Sequence, residues 1–421
     1  MKKKLLIYAH YFYPDVASTG QILAELAEGM SDAFDITVIC VVPSYSGVIE
    51  EKYKSKRIYI EEYKGIKLVR VRVPEFTKSN KVSRIKNLLA YFFNSLIATA
   101  KIEKQDYIYT ISQPPILGGV LGVLGKWIKG GKLIYNIQDF NPEQTIAVGY
   151  AKNKLLLNTV MAVDKFSCKN SDKVIVVGRD MQETLKNRFN NKKVPSNVFI
   201  NNWINEKEIY PLDQNHPKIV AFKEKYNLKD KFIIMYSGNI GLYYDLENII
   251  KVIGEFKDRE DVVFAFIGDG TVKSKIEEYV TNNNLNNVTF IPYQDKADLI
   301  YSLNAADIHW VVNAKGIKGV SVPSKLYGVM AAGKPVLGVL DEGSEARLIV
   351  EECNCGVCIE PGNYKEISRN IEYILNNKEL IKSLGRNGRK YLEVNLTKDV
   401  SINKYKDTIL SLDYKKESIT N

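Results

Sequence analysis

Histidine is almost missing: only His10, His216 and His309 occur in 421 residues. A metal centre built on clustered imidazoles is thereby excluded. Cysteine is scarce as well. Five thiols in this length make no disulfide scaffold, and the odd number with scattered Cys40 and Cys168 points to a reducing compartment. Cys353, Cys355 and Cys358 form a C-x-C-x-x-C cluster. No second pair or histidine stands nearby, so a loop with incidental thiols is preferred to a metal site. Long apolar runs are also lacking. Leu88–Ala100 is broken by Asn94 and Ser95, and Pro115–Gly125 by glycines. Neither reaches the ~20 residues that span a bilayer. Lys2-Lys3-Lys4 leads into the short run Leu5–Ala9, with no small-residue cleavage site before Asp15. That run reads as a first β-strand, not a signal peptide. An integral membrane protein is excluded; a peripheral one is not. No internal repeat or low-complexity tract occurs.

What is present is globular. Hydrophobic residues make up 45% and charged residues 26%. The length suits two or three domains, each large enough for its own core. Lys and Arg number 59 against 49 Asp and Glu, a net +10. This surplus suits an anionic partner. It is dispersed and no recognition motif accompanies it, so nucleic acid is not expected.

Short β-like runs alternate with helical spacing almost throughout. Leu5–Ala9, Ile36–Val42, a β pair across Tyr59–Val73 around Lys64-Gly65, Tyr107–Thr110, Leu133–Ile137, Val174–Val177 and Val198–Ile200 read as strands. Helices are predicted over Ile22–Met30 and Val82–Lys104. Asn201–Pro217 is polar and proline-rich, a linker. The rhythm then restarts with strands Phe232–Tyr236, Val262–Ile267, Val288–Ile291, Ile308–Val312, Pro335–Leu340 and Val357–Ile359, again with helices between. The fold class is α/β, with two doubly wound, Rossmann-like halves facing across a cleft. Residues 1–205, joined by a helix near 400–421, are expected to form one domain, and 206–399 the other. Ligands of such sheets bind beyond the carboxyl ends of the strands, so the site belongs in the cleft.

The residues at those ends carry the chemistry. Ser237-Gly238-Asn239 follows an apolar strand; its glycine suits either a phosphate cradle or a plain turn. Gly268-Asp269-Gly270 ends the next strand, where Asp269 is either a helix cap or part of the same rim. Lys315–Tyr327 is a Gly- and Lys-rich loop entering a helix near Pro323, with Ser324 and Lys325 in its first turn. A helix start disfavours a cation unless an anion lies between them, so this stretch points to diphosphate. In the first half, His10 and the Thr19-Gly20 helix start follow strand one. Asp139 and Glu143 follow the strand Leu133–Ile137 and suit general-base or hydroxyl-binding work, or helix capping for Asp139.

Taken in order, these stretches resemble the retaining GT-B glycosyltransferases of family four. The resemblance is nearest to the bacterial O-antigen, capsule and colanic-acid subgroup that includes N-acetyl-L-fucosamine transferases. It rests on the His10-Tyr11-x-x-Pro14 loop, Gln138-Asp139 through Glu143, Asn202-Trp203, Ser237-Gly238-Asn239, Gly268-Asp269-Gly270, and Val322-Pro323-Ser324-Lys325-Leu326-Tyr327 through Met330-Ala331-Ala332-Gly333-Lys334-Pro335-Val336. It implies a metal-independent hexosyltransferase with no cofactor. The nucleotide sugar, UDP-linked, would bind the second half through Ser237, Gly238, Asn239, Gly268, Asp269, Tyr293, Ser324, Lys325, Leu326 and Glu345. The acceptor, a polyprenyl-diphosphate-linked glycan, would bind the first half. Catalytic work would fall to Asp139, Glu143 and His10, with Thr19 and Gly20 on the acceptor side. The final helix would cross back to the first domain.

Three departures stand out. The family's paired glutamates fall on Val320 and Gly328, with Glu345 the substitute ribose clamp. The Arg and Lys of its first glycine turn fall on Asn239 and Tyr244, with Lys325 the substitute cation; a frequent His is Gln138. Lys78, Lys81, Arg84 and Lys86 precede Leu88–Phe93, suiting either an anionic membrane surface or a core-facing helix with a solvated start. The expected location is cytoplasmic, peripheral on the inner membrane face. The competing readings are a sugar-nucleotide epimerase of similar architecture and a non-catalytic two-lobed binding protein.

Overall fold

The structure, a computed structural model, describes residues 2–15, 17–77, 79–150 and 153–414. Lys78 of the basic cluster and residues 415–421 of the expected final helix lie outside that set. Strands β1 (Lys3–Tyr8), β2 (Phe34–Val41), β3 (Ile58–Tyr63), β4 (Ile66–Val71), β5 (Tyr107–Ile111), β6 (Lys132–Ile137), β7 (Lys173–Val176) and β8 (Asn197–Phe199) build one sheet. Its order is β3-β4-β2-β1-β5-β6-β7-β8. All neighbours are parallel except the β3–β4 hairpin, where Tyr63 pairs with Ile66 across the Lys64-Gly65 turn.

Strands β9 (Phe232–Ser237), β10 (Val262–Ile267), β11 (Val288–Ile291), β12 (Ile308–Val312), β13 (Val336–Val339) and β14 (Gly356–Ile359) form a second, all-parallel sheet. Its order is β11-β10-β9-β12-β13-β14. Parallel strands covered by helices on both faces must be apolar along their whole length. Val262–Ile267 is buried at every position, with Phe264 and Phe266 in one core cluster and Val263 and Ala265 in another. The expected strands match these within a residue or two. The first helix starts at Ser18 rather than Ile22, and the long helix ends at Lys101 rather than Lys104.

The expected linker is not loose. Trp203 and Ile209 are buried, and Ile204 bridges to Thr397 beside the last helix. That helix, Lys398–Tyr414, packs on the helix Ser18–Met30 under the first sheet. Ile402, Tyr405 and Ile409 join Leu23, Leu26 and Ala27 in its core. Asn136 Nδ2 donates to the Tyr405 hydroxyl at 2.7 Å, and Tyr107 donates to Asp413 at 2.5 Å.

Both sheets aim their carboxyl ends at one cleft. The loops after β6 and β7 meet the loop after β12, and the helix after β1 borders the same cleft. Replacing Tyr405 with Phe would leave the buried Asn136 amide short of a partner. The unfolding free energy is expected to fall by about 1–3 kcal/mol, measured by urea denaturation.

Candidate active site

A pocket of about 270 Å³ lies between the halves. Ser237, Gly238, Ile267, Tyr293, Trp310, Ser324, Lys325 and Gly328 line it from the second half; Gln21 and Ile204 complete it from the other side. Its floor follows from the backbone. Parallel register places Ser237 beside Ile267, so the two glycine turns leave the sheet side by side. Gly238 N donates to Ile267 O at 2.9 Å and Ile240 N to Asp269 O at 2.8 Å. Gly268 holds φ +134°, and a Cβ there would lie 2.1 Å from the Gly238 carbonyl oxygen.

Lys325 enters over the first turn. Gly238 holds φ +144°, and a Cβ on it would lie 2.4 Å from Lys325 Cε. The glycine is the passage through which the lysine reaches the pocket. Its ammonium rests 3.6 Å from the centre of the Tyr244 ring and 5.0 Å from that of Tyr236. No carboxylate lies within ion-pair distance among the described residues. Desolvation therefore acts unopposed and lowers the Lys325 pKa from 10.5 to about 7. The resemblance puts its missing lysine at Tyr244, and the Lys325 ammonium sits on that ring.

The loop leading to Lys325 is held by the opposite half. Val320 is buried among Ile137, Phe140 and Met181. Phe140 N donates to Val320 O at 2.9 Å, and Asp139 and Ser321 form an isolated antiparallel bridge. The Asp180 carboxylate, after β7, accepts from Gly319 N at 2.8 Å and Met181 N at 2.9 Å.

The other expected residues separate into distinct places. Asp139 stays near the cleft, where Gln144 donates to it at 3.3 Å; burial raises its pKa from 3.8 to about 6. Its charge is felt by Tyr243 and Tyr244. Thr19 and Gly20 open the helix Ser18–Met30, whose next residue, Gln21, lines the pocket. Asn239 and Asp269 are exposed at the rim, and Asp269 accepts from Gly270 N at 2.8 Å, capping its own turn. His10 lines a separate pocket of about 190 Å³ in the first half, with Tyr11, Arg84, Asn87 and Gln113. Burial lowers its pKa from 6.5 to about 4, and its Nε2 has no partner among the described residues.

Three assignments are corrected. Glu143 is no free base: Arg188 Nε and Nη2 each donate to it at 2.5 Å, and the same guanidinium pairs with Asp164. Glu345 is no ribose clamp. It is 1% exposed and accepts from Arg179 Nε at 2.8 Å, Arg179 N at 2.9 Å and Asn201 Nδ2 at 3.1 Å. Its charge was the right kind, but the opposite half consumes it. Leu326 is fully buried among Val329, Met330 and Ala346, one residue past the pocket wall.

Sequence reasoning missed Gln21, Gln294, Lys296 and Trp310. Gln21 and Gln294 adjoin residues it named, so the rim was legible without its full width. Trp310 lies inside an apolar strand and reads as core. It is buried, yet it lines the pocket, and its indole N–H lacks a partner among the described residues. Lys296 is tied to Glu208 at 3.1 Å and to Glu25 at 3.6 Å across the cleft. Cys353, Cys355 and Cys358 are free thiols, and among the described residues no group of three or more His, Cys, Asp or Glu could hold a metal.

Residues 218–391, which supply most of the pocket, match the family model of Glycosyl transferases group 1. The chain is 28% identical over 337 residues to the probable glycosyltransferase WbjE of Pseudomonas aeruginosa, covering 79% of this chain and 82% of that one. It is 25% identical to the putative colanic acid biosynthesis glycosyl transferase WcaI of Escherichia coli K12, covering 94% and 97%. Sucrose-phosphate synthase from Thermosynechococcus elongatus superposes with a TM-score of 0.78 at 16% identity, covering 98% of this chain and 100% of that one. HepE of Anabaena, solved with UDP and glucose, gives 0.69 at 15%, covering 97% and 99%. The likenesses to solved structures establish the fold as GT-B.

Arg188→Ala would strand two carboxylates, Glu143 and Asp164, in a buried site. It is expected to lower stability by about 3–5 kcal/mol in chemical denaturation. Glu345→Gln is expected to lower the melting temperature while leaving nucleotide affinity within about twofold, since the carboxylate serves the contact between halves.

Proposed function

We propose that the chain moves a sugar, with retention of configuration, from a UDP-sugar to a lipid-linked glycan in the assembly of a surface polysaccharide. The observation that carries this reading is Lys325: an ammonium without a carboxylate partner, held on a tyrosine ring beside a glycine turn, in a pocket between two α/β halves. A cation so placed binds a diphosphate and stabilises it as a leaving group. Charge supplied by Lys325 removes the need for a metal, so transfer is expected to continue in EDTA. The names of WbjE and WcaI support the class of reaction, and the UDP-bound state of HepE supports the donor. That the sugar is an N-acetylated 6-deoxyhexosamine rests on the sequence resemblance alone.

The acceptor, a polyprenyl-diphosphate-linked glycan at the inner membrane face, is assigned to the first half. The unpartnered Nε2 of His10 meets an acceptor hydroxyl there, as a neutral imidazole. Asp139, on the same side of the cleft, orients the approaching acceptor. No carboxylate is placed as a nucleophile once Glu143 is engaged by Arg188. Front-face displacement, with the leaving phosphate accepting the acceptor's proton, is the working mechanism.

Calorimetric titration with UDP-sugar, with EDTA present, tests the donor site. Lys325→Ala is expected to weaken binding by about tenfold or more, the loss of one charge-assisted contact. Unchanged affinity would remove the diphosphate assignment. The pH dependence adds an independent check. A diphosphate bound to Lys325 raises its pKa above about 7, so binding takes up a proton near neutrality. Affinity is full below about pH 7 and declines as pH rises further, approaching about tenfold per unit until the bound-state pKa is passed. The Lys325→Ala protein is expected to lose that slope.

A further inference from the structure

Three helices cover one face of the first sheet: Lys81–Lys101, Leu117–Lys129 and Lys154–Asn170. They are successive crossovers from β4 to β5, β5 to β6 and β6 to β7, all stepping the same way along the sheet, so they share one face. The first packs on the second and the second on the third. Together they carry nine Lys and Arg but a single acidic residue, Asp164, which is buried against Arg188. Lys81, Arg84, Lys86, Lys101 and Lys154 are exposed and have no ion pair among the described residues.

The first helix is turned against the usual rule. Its buried side holds Asn87, Tyr91, Ser95, Ala98 and Thr99. Two of those polar groups find partners inside: Asn87 donates to Pro74 O at 2.8 Å, and Thr99 lies 2.6 Å from the Tyr8 hydroxyl. Its outward side holds Val82, Ile85, Leu89 and Phe93, exposed by 61, 55, 45 and 58%. The stripe continues across the neighbours. Trp127 is 59% exposed, its ring 6.0 Å from that of Phe166, and Leu155 and Leu156 are 78 and 57% exposed. Nine of the twenty large apolar side chains exposed among the described residues lie on these three helices.

From this pairing of exposed apolar side chains with unneutralised cations we infer that the three-helix face docks on an anionic lipid bilayer. Apolar side chains enter the acyl boundary while the basic heads meet lipid phosphates. Among the described residues no helix is long and apolar enough to cross the membrane, so attachment is by this face lying on it. A second copy of the chain is a poor occupant, because it would bring two basic faces together. The inference concerns a surface apart from the donor pocket and does not depend on the donor. It adds a geometry to the proposed acceptor: Arg84, Asn87 and Leu88 of the same helix line the His10 pocket. A glycan tethered to that bilayer would be presented beside it.

Vesicle flotation of the full chain decides the matter, using phosphatidylglycerol with phosphatidylcholine at about one to two, and phosphatidylcholine alone. Binding is expected to the anionic vesicles only and to weaken in high salt. Leu89→Glu with Phe93→Glu, and separately Lys81→Glu with Lys86→Glu, are each expected to reduce partitioning by about tenfold or more. Val394→Glu, at a site 72% exposed in the other half, is expected to change nothing. UDP-sugar affinity and the melting temperature report on folding; a lost donor site with intact vesicle binding would fault the donor reading alone. Wild-type protein that ignores anionic vesicles, or pairs of variants that bind as before, would overturn the inference. So would a lipid-free dimer that Leu89→Glu with Phe93→Glu dissociates, which would assign the face to a second copy.

Discussion

Everything in the cleft depends on a loop that belongs to one half and is anchored in the other. Residues 315–324 leave the second sheet after β12, but Val320 is buried among side chains of the first half. The Asp180 carboxylate takes the Gly319 N–H, and Phe140 takes the Val320 carbonyl. Only a few residues later the chain turns into the helix that carries Lys325. The position of that ammonium is therefore set by both halves at once. A buried carboxylate accepting backbone N–H groups resists displacement, because water cannot replace those bonds without first entering. Arg179, bonded to Glu345 and Glu352, adds a second tie of the same kind.

The fold was legible because its physics is local. Parallel strands covered on both faces must be continuously apolar, and Val262–Ile267 or Ile308–Val312 cannot be read otherwise. The glycine turns were legible for a related reason: Gly238 and Gly268 stand directly after such strands, where backbones must come close. Lys325 was found because a lysine opening a helix conflicts with the helix dipole and demands an explanation.

What escaped the sequence was pairing across long separations. Glu143 and Glu345 have the chemistry of site residues, and their neighbours place both near strand ends. Whether such a carboxylate faces substrate or an arginine depends on Arg188 in one case and Arg179 in the other. Each arginine comes from another element, and one from the opposite half. Trp310 failed in the reverse direction: its strand pattern is that of core, and only the shape of the cleft makes its indole a pocket wall. The outward apolar side of Lys81–Lys101 was visible as a sequence, but which side faced the sheet was not. A small polar residue such as Thr99 packs inward readily when it can satisfy its hydroxyl locally, here on the Ser95 carbonyl.

The contact between Gly238 and Lys325 has a consequence for how such sequences diverge. A side chain at 238 would push the lysine end aside, since the added Cβ would lie 2.4 Å from Lys325 Cε. The two positions are distant along the chain yet share one volume. A lineage that moved its cation away from 325 would still need glycine at 238, because the backbone there holds φ +144°. The dependence runs one way: a lysine kept at 325 adds a second reason for the glycine, while a glycine at 238 does not reveal where the charge is kept.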